Sequence, residues 1–142
     1  MSKFLYFIPA RGGSKGIKDK NLQIVGGKTL IQRAVETGFD SGLKLNMDTT
    51  VVVSTQDSAI AAEATKSGAV LHNRPQEICG DDATTEQALI DFLINHWSSA
   101  DLSQTYIALI QCTSPFTSSE DVAEGINQVV SGSDSSFLGS IN

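Results

Sequence analysis

The residues with the clearest chemical potential lie between Phe4 and Leu22, FLYFIPARGGSKGIKDKNL. A short apolar run ends in Pro9-Ala10 and gives way to Arg11, Gly12, Gly13, Ser14, Lys15 and Gly16, with Lys18, Lys20 and Asn21 close behind. This is the pattern of a buried strand feeding a glycine-rich cationic loop. Glycine has no Cβ to hold a ligand away, so backbone N–H groups in such a loop can approach phosphate oxygens. Arg11, Lys15, Lys18, Lys20 and Lys28 are five of the ten Lys and Arg residues, and Asp19 is the only acid among them. Residues 11–28 thus carry +4 on a chain of −6, leaving −10 elsewhere. A concentrated positive loop on an acidic protein points to a small anion rather than to nucleic acid or an anionic membrane. The loop is neither a P-loop nor Gly-x-Gly-x-x-Gly, because the glycine and lysine intervals differ. The pattern alone leaves phosphate binding and a flexible loop of solvated lysines both open.

Other residues invite weighing. Arg74 precedes Pro75 in an extended segment, and either anion recognition or an exposed loop role suits it. Gln111 follows an apolar run, where an amide can donate to and accept from hydroxyl groups. Thr85 suits a hydrogen-bonding role or a helix start. Asp81-Asp82 reads better as helix capping or solvated charge than as a metal site. Cys79 and Cys112 form no Cys-x-x-Cys motif and imply neither a disulfide framework nor zinc. Cys112 has no activating histidine nearby and reads as packing. His96, on an apolar helical stripe, reads as a core or half-core histidine, and His72 carries no signal.

These residues need elements to position them. The 142 residues, 40% hydrophobic and 18% charged, suit one globular domain over 1–142. Phe4–Ile8 reads as a strand, not as a signal-peptide core, and no apolar run approaches the roughly 20 residues of a membrane span. A cytoplasmic protein is expected. Leu30, Ile31, Ala34, Val35 and Phe39 predict a helix from about Thr29 to Ser41, with Gly42 as its stop. Thr50–Ser54 predicts a strand, Asp57 an N-cap for a helix through Ala64, and Ala69–Leu71 a third strand. Residues 73–82 read as a loop. Thr84 with Gln87 fits a capping box before the stripe Leu89, Phe92, Leu93, His96, Trp97. Tyr106–Ile110 predicts a fourth strand. Thr117 with Glu120 fits a second capping box before Val122, Ile126, Val129 and Val130. Phe137–Ile141 begins a fifth strand. Strand–helix alternation with near-continuous apolar strands predicts an α/β fold, a mainly parallel sheet covered on both faces. The loops after the first, third and fourth strands then converge on one sheet edge.

The segment IPARGGSKGIKDKNL resembles the N-terminal signature of the acylneuraminate cytidylyltransferases, the CMP-sialic acid synthetases and their relatives. Two further stretches match in the same order. Arg74-Pro75-Gln76-Glu77-Ile78, followed by Asp81-Asp82-Ala83-Thr84-Thr85, is similar to the family's Arg-Pro…Asp-x-Ala segment. Leu109-Ile110-Gln111-Cys112-Thr113-Ser114-Pro115-Phe116 is similar to its Leu-Gln-Pro-Thr-Ser-Pro-Leu segment. Val52-Val53-Ser54-Thr55 fits a family strand end.

The resemblance implies a three-layer α/β/α, Rossmann-like fold of the nucleotide-diphospho-sugar transferase type. It implies transfer of CMP from CTP to a nine-carbon keto-sugar acid, with release of pyrophosphate. Arg11 and Lys20 would carry the catalytic charge stabilisation. Ala10, Arg11, Gly12, Gly13, Ser14, Lys20, Asn21, Arg74, Ala83 and Thr85 would bind the nucleotide. Gln111, Thr113 and Ser114 would bind the sugar. The implied cofactor is Mg²⁺, whose ligands in the family correspond to positions beyond Asn142, so the chain resembles the first two-thirds of the enzyme, truncated at its C-terminus. The implied assembly is a homodimer, its dimerisation segment likewise beyond Asn142. Two local departures stand out. Gln56 replaces a frequent Asp, and Cys112 to Thr117 replaces Pro-Thr-Ser-Pro-Leu-Arg, removing one anion contact. Open alternatives are another keto-sugar acid (legionaminate, pseudaminate or 3-deoxy-manno-octulosonate) and a non-catalytic nucleotide-binding module. Lys20-Asn21 favours the acylneuraminate group over 3-deoxy-manno-octulosonate.

Overall fold

A computed structural model of the chain describes residues 2–10, 22–75, 85–111 and 118–132. The first four expected strands form, three of them slightly longer than expected and the fourth shifted by one residue. They are β1 (Lys3–Pro9), β4 (Asp48–Thr55), β5 (Val70–Asn73) and β6 (Thr105–Leu109). All pair in parallel, in the order β5-β4-β1-β6. Residues Phe4 to Ile8 are completely buried. A strand so placed must present apolar side chains to both faces, which explains its unbroken apolar run.

The alternation of side chains divides the core in two. Phe4, Tyr6 and Ile8 join Val51 and Val53 on one face, covered by α1 (Leu30–Leu45), α2 (Ser58–Lys66) and α5 (Ser119–Val130). Leu5, Phe7 and Val52 face the other way, onto Ala88 and Phe92 of α3 (Thr85–His96). The result is the three-layer α/β/α architecture that the sequence pattern predicts. Burial pushes the Tyr6 phenol above its usual range, so this side chain serves packing rather than proton transfer. A four-residue helix, α4 (Ser99–Leu102), precedes β6.

Several boundaries differ from expectation for local reasons. Helix α1 passes Gly42 and ends at Leu45, where Asn46 takes the left-handed cap conformation at φ 54°. Gly42 is a packing residue, since a Cβ there would collide with Thr49 on β4. Gly38 has the same role, its missing Cβ lying 2.8 Å from the Tyr6 ring. Helix α5 is capped by Ser118, which accepts from the Asp121 N–H, rather than by Thr117 with Glu120. Thr84, Thr117 and Phe137–Ile141 lie outside the described residues.

A small hairpin was not anticipated. The strands β2 (Ile24–Val25) and β3 (Lys28–Thr29) pair antiparallel across Gly26 and Gly27. Both glycines have positive φ, 61° and 85°, as a tight primed turn requires. This removes Lys28 from the cationic loop: its Nζ donates to both Glu36 carboxylate oxygens, at 3.0 and 2.8 Å. The hairpin leads directly into α1, where the Thr29 hydroxyl caps the helix by accepting from Gln32 N–H and donates to Glu63 of α2.

The first turn of α5 docks on the last turns of α1. Ser41 Oγ donates to Thr37 O at 2.7 Å and lies 3.4 Å from Ser119 O, and Lys44 Nζ is 3.4 Å from Glu120 Oε1. A hydrogen bond from its own backbone N–H, then the Lys44 charge, holds the Glu120 carboxyl below its ordinary range. A lowered folded pKa stabilises above the unfolded pKa, and that contribution disappears as pH falls through the folded value. Carboxyl NMR at low salt should find Glu120 titrating below ordinary glutamate, and Lys44→Ala should move it upward. Gly42→Ala should lower stability by about 2 kcal/mol in urea unfolding, because the added methyl overpacks the α1–β4 contact.

Candidate functional site

Backbone hydrogen bonds carry the sheet past its strand ends. Ala10 N–H donates to Ser54 O at 2.9 Å, Arg74 N–H to Thr55 O at 3.1 Å, and Ile110 N–H to Phe7 O at 3.1 Å. The carboxyl edge is therefore one ordered row running from Arg74 through Thr55, Ser54 and Ala10 to Ile110. From β1 the chain steps outward to β4 and β5, then returns to the other side of β1 for β6. The strand order reverses between β1 and β6, the place where open parallel sheets leave a crevice for ligands. Ala10 ends β1 on one side of that reversal, and exposed Gln111 follows β6 on the other.

Arg74 lies at the far side of the same edge and is 8% exposed. Its Nε is 3.4 Å from Ser54 Oγ and its Nη2 is 3.5 Å from Ser54 O. Ser54 is fully buried and stands directly across from His72 in the β4–β5 register. Ser54 Oγ and His72 Nδ1 are 2.8 Å apart. His72 Nε2 donates to Asp91 Oδ2 of α3 at 2.7 Å. Asn95, one turn later, donates to Asp91 Oδ1 at 3.1 Å. Phe7 and Phe92 enclose the His72 ring, with centroids at 6.1 and 5.7 Å.

Four of the residues expected at the site are described, and three of them stand on the carboxyl edge: Ala10, Arg74 and Gln111. Thr85 opens α3 and is half-buried. Arg11, Gly12, Gly13, Ser14, Lys20, Asn21, Ala83, Thr113 and Ser114 lie outside the described residues, as do Cys79, Asp81, Asp82 and Cys112. Both histidine readings change. His96 is exposed at the end of α3, although its ring lies 5.9 Å from that of His72. The buried histidine is His72, because β5 turns it inward onto Phe7 and Phe92. In the sequence it is only a polar residue directly after Ala69-Val70-Leu71, as Ser54 is after Val51-Val52-Val53, and that position alone does not say which way the side chain faces. Asp91 is likewise only an acid three residues after Ala88 in the sequence.

Among the described residues, no group of three or more His, Cys, Asp or Glu is placed to hold a metal ion. Among them, too, no helix is long and apolar enough to cross a membrane.

The parallel sheet, its helical layers and its strand reversal define a Rossmann-like α/β fold. The sequence profile of the family described as Cytidylyltransferase matches residues 5–137, and the chain belongs to that family. N-acylneuraminate cytidylyltransferase of Streptococcus agalactiae serotype III (strain NEM316) is 32% identical over 124 residues, 87% of this chain and 28% of that protein. The CMP-N,N'-diacetyllegionaminic acid synthase of Legionella pneumophila (strain Philadelphia 1) is 30% identical over 125 residues, 87% of this chain and 52% of that one. The solved structure of a CMP:2-keto-3-deoxy-manno-octonic acid synthetase complexed with CTP has the same fold. Its TM-score is 0.70 at 23% identity, covering 92% of this chain and 48% of that chain. The chain thus spans between about a quarter and about a half of the length of these proteins, less than the two-thirds expected from the resemblance.

Ser54→Ala should lower stability by about 2 kcal/mol in urea unfolding, since it leaves buried His72 Nδ1 without its partner.

Proposed function

We propose that the chain is the nucleotide-binding part of a cytidylyltransferase that transfers CMP from CTP to a nine-carbon keto-sugar acid of the N-acylneuraminate type. One observation carries the reading: a family match over residues 5–137 on a parallel sheet whose strand reversal is flanked by Ala10 and Gln111. In this reading the anomeric hydroxyl oxygen attacks the α-phosphorus, a new O–P bond forms, and pyrophosphate departs. Such chemistry depends on positioning and on neutralising charge.

Arg11 grips phosphate oxygens with its fork of N–H donors, and Lys20 adds a point charge. The Gly12, Gly13 and Ser14 backbone lines the phosphates, next to Ala10 and Asn21. Arg74, Ala83 and Thr85 recognise the nucleotide. Gln111, which follows β6, takes sugar hydroxyls together with Thr113 and Ser114. Mg²⁺ belongs to the reading as the ion that accompanies the triphosphate and neutralises its charge. The described residues offer it no ligand cluster.

A second sugar class has specific support, because the legionaminate-type relative is nearly as similar as the acylneuraminate one, at 30% against 32%. Competition between the two acids in a turnover assay separates them.

Calorimetry with CTP, ATP, GTP and UTP, with and without Mg²⁺, tests the reading. CTP should bind selectively, and Arg11→Ala should weaken it by about 10- to 100-fold through loss of charge-assisted hydrogen bonds. Gln111→Ala should leave CTP affinity in place and weaken the sugar acid by about tenfold. Equal binding of all four nucleotides, or of none, overturns the proposal.

A further inference from the structure

A serine, a histidine and an aspartate in hydrogen-bonded series invite comparison with a nucleophilic triad, and the geometry argues against one. Ser54 is fully buried, so its oxygen meets no substrate. The ring is also reversed: Asp91 takes Nε2 and Ser54 takes Nδ1, where a triad joins the acid to Nδ1 and the nucleophile to Nε2. Finally, Ser54 Oγ faces the Arg74 Nε–H at 3.4 Å, a contact that draws electron density from the oxygen.

The hydrogen-bond directions give the series a different use. An ionised Asp91 only accepts, so His72 Nε2 carries the proton and donates to it. In the neutral ring, Nδ1 then has only a lone pair and accepts the Ser54 hydroxyl proton. That turns the serine's own lone pairs toward the Arg74 guanidinium. The same serine offers its carbonyl to Arg74 Nη2 at 3.5 Å and to Ala10 N–H at 2.9 Å. Ser54 thus joins the guanidinium to the last residue before the cationic loop.

We propose that Asp91, His72 and Ser54 form a buried positioning relay that orients the Arg74 guanidinium at the carboxyl edge for binding a nucleotide. The inference rests on the reading of Arg74 as a nucleotide-binding residue. The relay makes a surface property of α3 matter at the sheet edge. Asp91 is a quarter exposed, and Asn95 steadies its second oxygen.

The test is a double-mutant cycle on the full chain, with two readouts. One is exchange of the Arg74 Nε–H with water by NMR, without nucleotide. The other is CTP affinity by calorimetry. His72→Phe keeps ring volume between Phe7 and Phe92 and removes both nitrogens. It should speed Arg74 Nε–H exchange and weaken CTP each by about tenfold, the scale at which packed networks couple. In an Arg74→Ala background it should weaken CTP no further. An unchanged exchange rate, or equal weakening of CTP in both backgrounds, overturns the relay. If His72→Phe does not fold, Asp91→Ala at the partly exposed end carries the same cycle, with an effect of about threefold in the same directions. If the unmutated chain binds no CTP, the proposed function fails. The exchange rate then decides the relay alone: acceleration supports it and constancy overturns it.

Discussion

Strand β1 is bonded to β4 on one side and β6 on the other, and its residues Phe4 to Ile8 have no exposure at all. A backbone so deeply buried has to satisfy every N–H and C=O within the sheet, because no water reaches it. That requirement fixes the parallel register from Lys3↔Asp48 to Pro9↔Ser54. It also continues past the strand, where Ala10 bonds Ser54 and Ile110 bonds Phe7. The ordered carboxyl edge is a by-product of this ladder: the residues that begin the loops are the ones that complete the bonding of the core.

The two faces of β1 impose different chemistry on their coverings. The face of Phe4, Tyr6 and Ile8 meets three helices, and close approach there depends on Gly38 and Gly42 in α1. The face of Leu5 and Phe7 meets α3 and is smaller. Here a polar series runs through the layer, from Asn95 and Asp91 on α3 through His72 on β5 to Ser54 on β4. Buried polar groups are tolerated only when their partners are complete, and every buried side-chain nitrogen and oxygen among the described residues has one. A complete network of this kind specifies one arrangement of α3 against the sheet, since sliding the helix by a turn separates Asp91 from His72.

Charge follows a comparable division. The hairpin and α1 neutralise Lys28 with Glu36, leaving the positive charge of the 11–21 segment concentrated near the end of β1. An acidic chain thereby carries a local excess of positive charge in the sequence that follows β1.

Much of this was legible in the amino-acid order. Apolar runs at Phe4–Ile8 and Val51–Val53, helical stripes at Leu30–Val35 and Leu89–Leu93, and the Asp57 cap all act through near neighbours, so local spacing announces them. The Arg11–Asn21 composition is local in the same way, and it raised the expectation of an anion-binding loop. Tertiary structure decided what depends on distant partners. Gly42 looked like a helix stop until Thr49 supplied the surface it packs against. Lys28 looked like a loop cation until Glu36 stood beside it. His96 looked like a core histidine until the fold left it exposed and buried His72 instead, because which histidine is buried depends on how β5 and α3 meet. The contact of Ser54, His72, Asp91 and Arg74 joins two strands, a helix and a loop start. No periodicity encodes such a contact, because hydrogen-bond partners are chosen by the fold after the chain has closed on itself.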